Sequence, residues 1–542
     1  MSDRAAAGGT AHDPGPRGPR PIGDLVARLA AEGRLRGTRL DGRAAGSTAL
    51  AGVMVSGVTS DSRGVGPGSL FVAVTGQHAD GHDFAAAAVR QGATALIVDR
   101  PLPELAVAQL VVDSSRPALA SAAAWWNGDP SHELTVVGIT GTDGKTTTAY
   151  LAVAALEAAG RRAGMIGTIA TRIGGRTDAH EAHATTPEAP ELQAMLRAMV
   201  DAGDDVAVIE TTSHGLALDR VASIAYDVAI LTNLTHEHLE LHGTWEAYRD
   251  AKLSLFDRLR ASRGVQKPRP VAAAAIVNLD DSSAGAFIGT ARGAGARVLT
   301  YGTESAADIR ATRITEDAAG LRAEIETSGT DPATLELRLA GRFNVHNALA
   351  VVALGEVLGL DPEAVRQGLA SVDGVPGRME RIDVGQPFGV VVDFAHSPAS
   401  LQTVLDLLAP AAAARGGGLI AVFGSAGERD TAKRPQMGSI AGERARLVVV
   451  TDEDPRGEDR DAILDEIARG AEAAGKRRGQ DLQLIADRRT AIGTAFEAAR
   501  PGDIVLLAGK GHERSIIGRD GEQPWDERAT ALQLLAELGY GG

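Results

Sequence analysis

Leu134-Thr135-Val136-Val137-Gly138-Ile139-Thr140 runs into Gly141-Thr142-Asp143-Gly144-Lys145-Thr146-Thr147-Thr148, and AYLAVAALEAAG follows from Ala149 to Gly160. A β-branched apolar run, a Gly-rich turn, Lys-Thr and an Ala/Leu-rich helical pattern form a phosphate-binding arrangement. Backbone N–H groups and the helix N-terminus face the phosphates, the lysine reaches the terminal ones, and a threonine hydroxyl can ligate magnesium. The strict spacing GxxxxGK[ST] would need glycine at 139, where Ile139 stands. The loop therefore predicts binding of a nucleoside triphosphate without fixing the class of enzyme. As bare sequence it also fits a glycine turn capped by threonine.

Outward from this loop, short apolar runs alternate with longer amphipathic stretches. They begin at Leu70, Thr94, Leu134, Val206, Val228, Ala274, Gly389, Leu419, Leu447 and Asp503, and helical patterns such as AILDEIARGAEAAG from Ala462 lie between many of them. This alternation predicts parallel sheets covered by helices. Ligands of such sheets bind beyond the carboxyl ends of the strands. Residues 301–338 alternate Thr, Ile and charge and predict a β meander. Turn-rich GDPSHEL near Gly128 and DGVPGRMERID from Asp373 mark two boundaries. The expected organisation is a disordered tail over 1–21 and domains over 22–130, 131–372 and 373–542.

Composition narrows the class. The 542 residues contain no cysteine, which excludes disulfides, zinc–thiolate sites, iron–sulfur clusters and a cysteine nucleophile. The net charge of −15 argues against general nucleic-acid binding, which needs clustered Lys and Arg. No apolar run reaches the roughly 18–20 residues of a membrane span, and the Gly/Pro-rich N-terminus has no apolar signal core. A cytoplasmic protein is expected.

Two more segments carry chemistry. Glu210 closes VAVIE before Thr211-Thr212-Ser213-His214-Gly215, where a carboxylate can hold magnesium or simply face solvent. The run Thr232 to Gly243 holds His236, His238 and His242, without the i, i+4 spacing of a helical zinc site. Lys252, in EAYRDAKLSLF, falls on the polar face of a helical pattern and reads as a solvated lysine.

Together these segments resemble the Mur ligases, most closely the branch that adds the third stem-peptide residue to a UDP-N-acetylmuramoyl-dipeptide. The resemblance runs from about Val58 to the C-terminus. The family loop GTxGKT covers Gly141, Thr142, Asp143, Gly144, Lys145, Thr146 and Thr147, with Asp143 where Asn is usual. ETTSHGL, NLTHEHLELHG and Lys252 resemble the metal segments. The resemblance implies magnesium held by Thr146, Glu210, His238 and Lys252 as its N6-carboxy (carbamate) form, with Lys145, Glu210, His238 and Lys252 catalytic. It overturns the solvated reading of Lys252. Asn278 and Asn344 would contact the adenine of ATP, although as bare sequence either fits a turn.

The resemblance implies an α/β protein of three domains. A central P-loop ATPase-type parallel sheet is flanked by an N-terminal UDP-binding α/β domain and a C-terminal Rossmann-like α/β domain. VTSDSRGVGPGSLFVAVTGQHADGHDF would place Ser60, Ser62, Gln77, His78 and Ala79 at the UDP-sugar. Thr185, Thr186, Thr212 and Arg220 would contact the muramoyl peptide, and Leu218 stands where Gln is common. In the third domain Arg429, Glu453, Asp454, Pro455, Arg456, Gly509 and Glu513 would bind the incoming amino acid. Glu453-Asp454-Pro455-Arg456 resembles the DNPR motif of diaminopimelate-adding members. A guanidinium at Arg456 can pair bidentately with a second carboxylate, whereas the acidic Asp454 can favour a distal ammonium. Meso-diaminopimelate leads, with L-lysine or L-ornithine as the alternative.

The implied reaction is ATP-dependent amide formation through an acyl phosphate, in peptidoglycan precursor synthesis and hence in cell shape and division. Its partners are small molecules, with no nucleic acid or membrane, and a monomer is expected. Folylpolyglutamate synthetase shares the loop and the carbamate chemistry but lacks a UDP-binding domain. An ATP-binding scaffold or regulatory NTPase is the alternative of another class.

Overall fold

The computed structural model describes residues 18–76, 79–179, 184–235, 242–304, 306–317, 320–327 and 331–541. Most of the expected tail lies outside these residues. The ten apolar runs all become strands, and the helical pattern from Ala462 becomes helix Arg460–Ala473.

The strands form three main sheets. The first has six strands, of which Gly57–Thr59, Ser69–Val72, Ala95–Val98 and Ala108–Val112 are parallel. The second has eleven strands. Its parallel centre contains Ala163–Ile166, Val206–Glu210, Thr135–Thr140, Val228–Leu231, Ala274–Asn278 and Arg297–Gly302, in that spatial order. At one edge Ile309–Asp317, Gly320–Thr327 and Ala333–Leu337 continue it as an antiparallel meander, as their sequence pattern predicts. The third sheet has five parallel strands, with Ile504–Ala508 between Gly389–Asp393 and Leu419–Phe423.

The central strands carry apolar side chains on both faces because helices cover both. Helices Lys145–Ala158, Phe343–Leu358 and Pro362–Ala370 pack on one face, and Ala189–Ala202, Trp245–Asp257 and Ala284–Gly293 on the other. Among the described residues no helix is long and apolar enough to cross a membrane.

Strand order places the sites. From Thr135–Thr140 the chain first builds strands on one side, Ala163–Ile166 and Val206–Glu210, then crosses to Val228–Leu231 on the other. The reversal opens a crevice at the carboxyl end of Thr135–Thr140, where the phosphate loop sits. In the third sheet the last strand, Ile504–Ala508, inserts between Gly389–Asp393 and Leu419–Phe423, and because these strands are parallel the segments after residues 393, 423, 450 and 508 share one edge.

Candidate functional site

The phosphate loop is bent by two glycines. Gly141 and Gly144 have φ of 153° and 82°. A Cβ at Gly141 would lie 1.8 Å from Thr232 Oγ1, and one at Gly144 2.4 Å from Asn347 Oδ1. No other residue fits either place without displacing its neighbour. The loop is tied to the next strand end. The amides of Thr142 and Asp143 donate to Asn233 O at 2.8 Å and Asn233 Oδ1 at 3.0 Å, and Thr232 Oγ1 donates to Asp143 O at 2.6 Å. Lys145 Nζ donates to the carbonyls of Gly141 and Thr142, at 2.9 and 2.7 Å.

Glu210 is fully buried at the end of its strand. Its Oε2 accepts from Thr146 Oγ1 at 2.8 Å and Thr168 Oγ1 at 3.0 Å, and its Oε1 from the Thr168 amide at 2.9 Å. Gly167 lets the carboxylate approach, since a Cβ there would lie 2.3 Å from Oε1. A buried carboxylate beside a threonine hydroxyl at the mouth of a phosphate loop is a hard oxygen donor set suited to magnesium. The solvent-facing alternative for Glu210 is thereby excluded. Glu210 also helps push the Tyr150 hydroxyl up to about 12, burial being the larger cause.

The solvated reading of Lys252 is corrected. Its helix, Trp245–Asp257, turns it inward, where it is 2% exposed. Its Nζ donates to Gly141 O at 2.7 Å and lies 4.5 Å from the centre of the Tyr248 ring. The Tyr248 hydroxyl lies 3.0 Å from Thr142 Oγ1. The helix is amphipathic, but Lys252 faces the loop rather than solvent. His236 and His238 lie outside the described residues.

Next to Glu210, Thr186 Oγ1 donates to Glu210 O at 2.8 Å and lies 3.0 Å from Thr212 Oγ1. Thr185 Oγ1 accepts from Thr168 Oγ1 at 3.0 Å. Arg220 donates to Thr186 O at 2.9 Å and pairs with Glu188 at 2.7 Å. Thr185, Thr186, Thr212 and Arg220 therefore converge beside Glu210. Asn278 and Asn344 are both engaged locally. Asn278 Nδ2 donates to Thr232 O at 2.7 Å, and Asn344 Nδ2 to Ala340 O at 2.7 Å. Asn347 links Asn344 to Thr148 on the loop helix.

In the first domain Ser60 and Ser62 flank Asp61, at the carboxyl end of strand Gly57–Thr59. Ala79 is exposed in a turn and its carbonyl accepts from Gly76 N at 2.9 Å. Gln77 and His78 lie outside the described residues. The adjoining Asp80 is held far below the usual carboxylate range, first by the His82 amide and then by Arg100.

The third-domain residues share one strand edge. Arg429 is exposed on a loop whose Gly427 amide donates to Asp454 O at 2.8 Å. Asp454 Oδ1 accepts from Lys510 Nζ at 2.8 Å and the Ile517 amide at 2.9 Å. Glu453 is buried, its Oε2 has no hydrogen-bond partner, and a Cβ on Gly509 would lie 3.3 Å from it. Pro455 is followed by Arg456 at φ 53°, whose buried Nε also has no partner. Glu513 sits 2.5 Å from Lys510, and burial pushes its carboxyl up.

Several neighbours escape the sequence reading. Thr168, Tyr248, Thr232, Asn233 and Asn347 hold the phosphate end. Thr232, Asn233 and Tyr248 lie in quoted segments, but nothing local marks the contact of Tyr248, Thr168 or Asn347 with the loop. Arg378 stacks over Phe394 at 4.6 Å, and Phe394 lies 4.5 and 4.9 Å from the rings of His396 and His512. Of these only Phe394 and His396 lie in the run GVVVDFAH from Gly389, which reads only as a strand. Asp393, in that run, is pushed up by burial.

A Gly-rich loop at a helix N-terminus, a buried carboxylate beside it and a cluster of ions on the third sheet all lie at carboxyl ends of parallel strands. Family models match along the chain: the Mur ligase family, catalytic domain over 54–125, the Mur ligase middle domain over 139–355, and the Mur ligase glutamate ligase domain over 377–511. UDP-N-acetylmuramyl-tripeptide synthetase of Roseiflexus sp. (strain RS-1) is 48% identical over 492 residues, covering 90% of this chain and 96% of that protein. UDP-N-acetylmuramoyl-L-alanyl-D-glutamate–2,6-diaminopimelate ligase of Geobacter metallireducens is 41% identical over 515 residues, covering 92% and 97%. A solved structure of a UDP-N-acetylmuramoyl-L-alanyl-D-glutamate–2,6-diaminopimelate ligase matches with a TM-score of 0.61 and 30% identity, covering 90% of this chain and 96% of that one. The chain belongs to the Mur ligase family.

Proposed function

We propose that this protein is the ATP-dependent ligase that joins meso-2,6-diaminopimelate to UDP-N-acetylmuramoyl-L-Ala-D-Glu. ATP phosphorylates the free carboxylate of the D-Glu residue. The amine of the incoming amino acid attacks the acyl phosphate, and phosphate leaves. Residues 22–130 hold the UDP end, with Ser60, Ser62, Gln77, His78 and Ala79. Residues 131–372 bind ATP, and residues 373–542 bind the amino acid. The protein works in the cytoplasm as a monomer.

Both steps move charge between oxyanions, so positioning and electrostatics carry them. The loop amides and Lys145 hold the phosphates. Thr185, Thr186, Thr212 and Arg220 orient the dipeptide so that its carboxylate meets the γ-phosphate. Thr146, Glu210, His238 and carbamylated Lys252 would hold magnesium, which when bound offsets charge on the phosphate oxygens. Carbamylation suits Lys252, because it turns a buried amine beside the loop into an oxygen ligand. Asn278 and Asn344 lie toward the adenine. Closure of three domains brings the sites together and excludes water.

The observation that carries the choice of amino acid is the charge set of the third domain. With Asp454 and Glu513 both paired with Lys510, two guanidiniums, Arg429 and Arg456, and one carboxylate, Glu453, remain for the ligand. Diaminopimelate offers two carboxylates and two amino groups. Lysine or ornithine would leave one guanidinium without a partner. The test is phosphate release from ATP with UDP-N-acetylmuramoyl-L-Ala-D-Glu, adding meso-diaminopimelate, L-lysine and L-ornithine separately. Stimulation by diaminopimelate alone is expected. Release that needs no amino acid would return the protein to a regulatory NTPase or scaffold.

A further inference from the structure

Lys510 follows strand Ile504–Ala508 and is 1% exposed, among the largest fully buried side chains of the chain. Burying an ammonium is costly unless it is paired. Here it has two partners, Asp454 Oδ1 at 2.8 Å and Glu513 Oε2 at 2.5 Å. Asp454 Oδ1 also takes the Ile517 amide at 2.9 Å, and the next chain link is itself fixed, since the Arg456 amide donates to Ile517 O at 2.9 Å. Asp454 therefore sits in a closed arrangement, two residues from the guanidinium of Arg456. By contrast Glu453 Oε2 and Arg456 Nε are buried without partners, and buried unpaired polar groups in a native protein call for a ligand or water.

We infer that Lys510 is the positioning residue that sets amino-acid selectivity: by matching Asp454 it keeps Arg456 available for a second carboxylate. This rests on the ligase reading above. Without Lys510, the Asp454 carboxylate, two residues from Arg456, is left without its cation. It would compete with the ligand's distal carboxylate and repel it, while attracting a bare distal ammonium. The acidic departure from the DNPR pattern is thus neutralised inside the protein, and the pocket retains the preference that the motif implies.

The experiment measures kcat and KM of the full chain with meso-diaminopimelate and with L-lysine, for the wild type, Lys510→Met, Asp454→Asn and the double variant. Lys510→Met should lower the diaminopimelate-over-lysine ratio of kcat/KM at least tenfold, mainly through KM for diaminopimelate. Asp454→Asn should keep the preference, and the double variant should regain it. An unchanged ratio in folded Lys510→Met, or a double variant that stays unselective, would overturn the inference. Should Lys510→Met fail to fold, Asp454→Asn decides alone: a tenfold or greater loss with both amino acids means that Asp454 itself reads the distal ammonium and the inference is wrong. Wild-type turnover with no amino acid would instead sink the ligase reading, a separate outcome.

Discussion

Around the phosphate loop, polar side chains mostly hold one another. Glu210 is gripped by Thr146 and Thr168, Lys145 and Lys252 donate to loop carbonyls, and Asn233 ties the loop to the next strand. Around strand Leu447–Val450 the opposite holds. Glu453 Oε2 and Arg456 Nε are buried without partners, and Arg429 stands exposed. Both places are carboxyl ends of parallel strands, so strand direction does not separate them. What separates them is charge. The first uses hydroxyls, backbone groups and few ions, which can be satisfied inside the protein at little cost. The second gathers ions of both signs that only a ligand with matching ions completes. A rigid end suits the phosphate chemistry, and an incomplete end suits selection.

The largest effect should come from breaking the first end. Lys252→Ala is expected to cost about 10³-fold or more in kcat with every amino acid, on the scale of losing a transition-state charge stabiliser. A carbamate carbonyl signal in ¹³C NMR of protein held in labelled bicarbonate, absent in the variant, would tie the loss to the modification. A fully active Ala variant would end that assignment. Breaking the second end should be selective. Arg456→Met should cost about 10–10² in kcat/KM for diaminopimelate, the scale of one charge-assisted hydrogen bond, while ADP binding by calorimetry stays unchanged. Equal losses for ADP and amino acid would erase the distinction between the two ends.

Smaller effects sharpen the comparison in stability. Gly144→Ala forces a left-handed residue against Asn347 and should destabilise the protein by about 1–3 kcal/mol, read as the shift in urea midpoint. His512, packed against Phe394, has its pKa lowered to about 3, first by burial and then by Arg378 and Lys510. Its unfolded form takes up a proton near pH 6.5 and its folded form does not. Its contribution is therefore fully present above about 6.5 and is lost as pH falls toward 3. His512→Gln should show a shallower fall in melting temperature across that window than the wild type. Identical slopes would mean that His512 is solvated.

Much of this was readable beforehand, for a physical reason. β-branched runs, helical periodicity and the GTDGKT turn are properties of neighbours in the chain, and they marked ten of the strands and the phosphate loop. The resemblance added Thr185, Thr186, Thr212 and Arg220, which the structure gathers beside Glu210. Thr168, Tyr248 and Asn347 were invisible because nothing near them in sequence distinguishes a hydroxyl or amide that happens to face the loop.

Sequence by itself determined the layered α/β architecture, the loop, and the inventory of charges at the third domain. Tertiary structure decided what those charges mean. Helical spacing put Lys252 on a polar face, yet packing against Gly141 buries it. The count of acids made Asp454 a negative charge beside the substrate, yet Lys510, 56 positions along the chain, cancels it. Periodicity is local, whereas burial and charge compensation depend on which distant segments the sheet brings to the same edge.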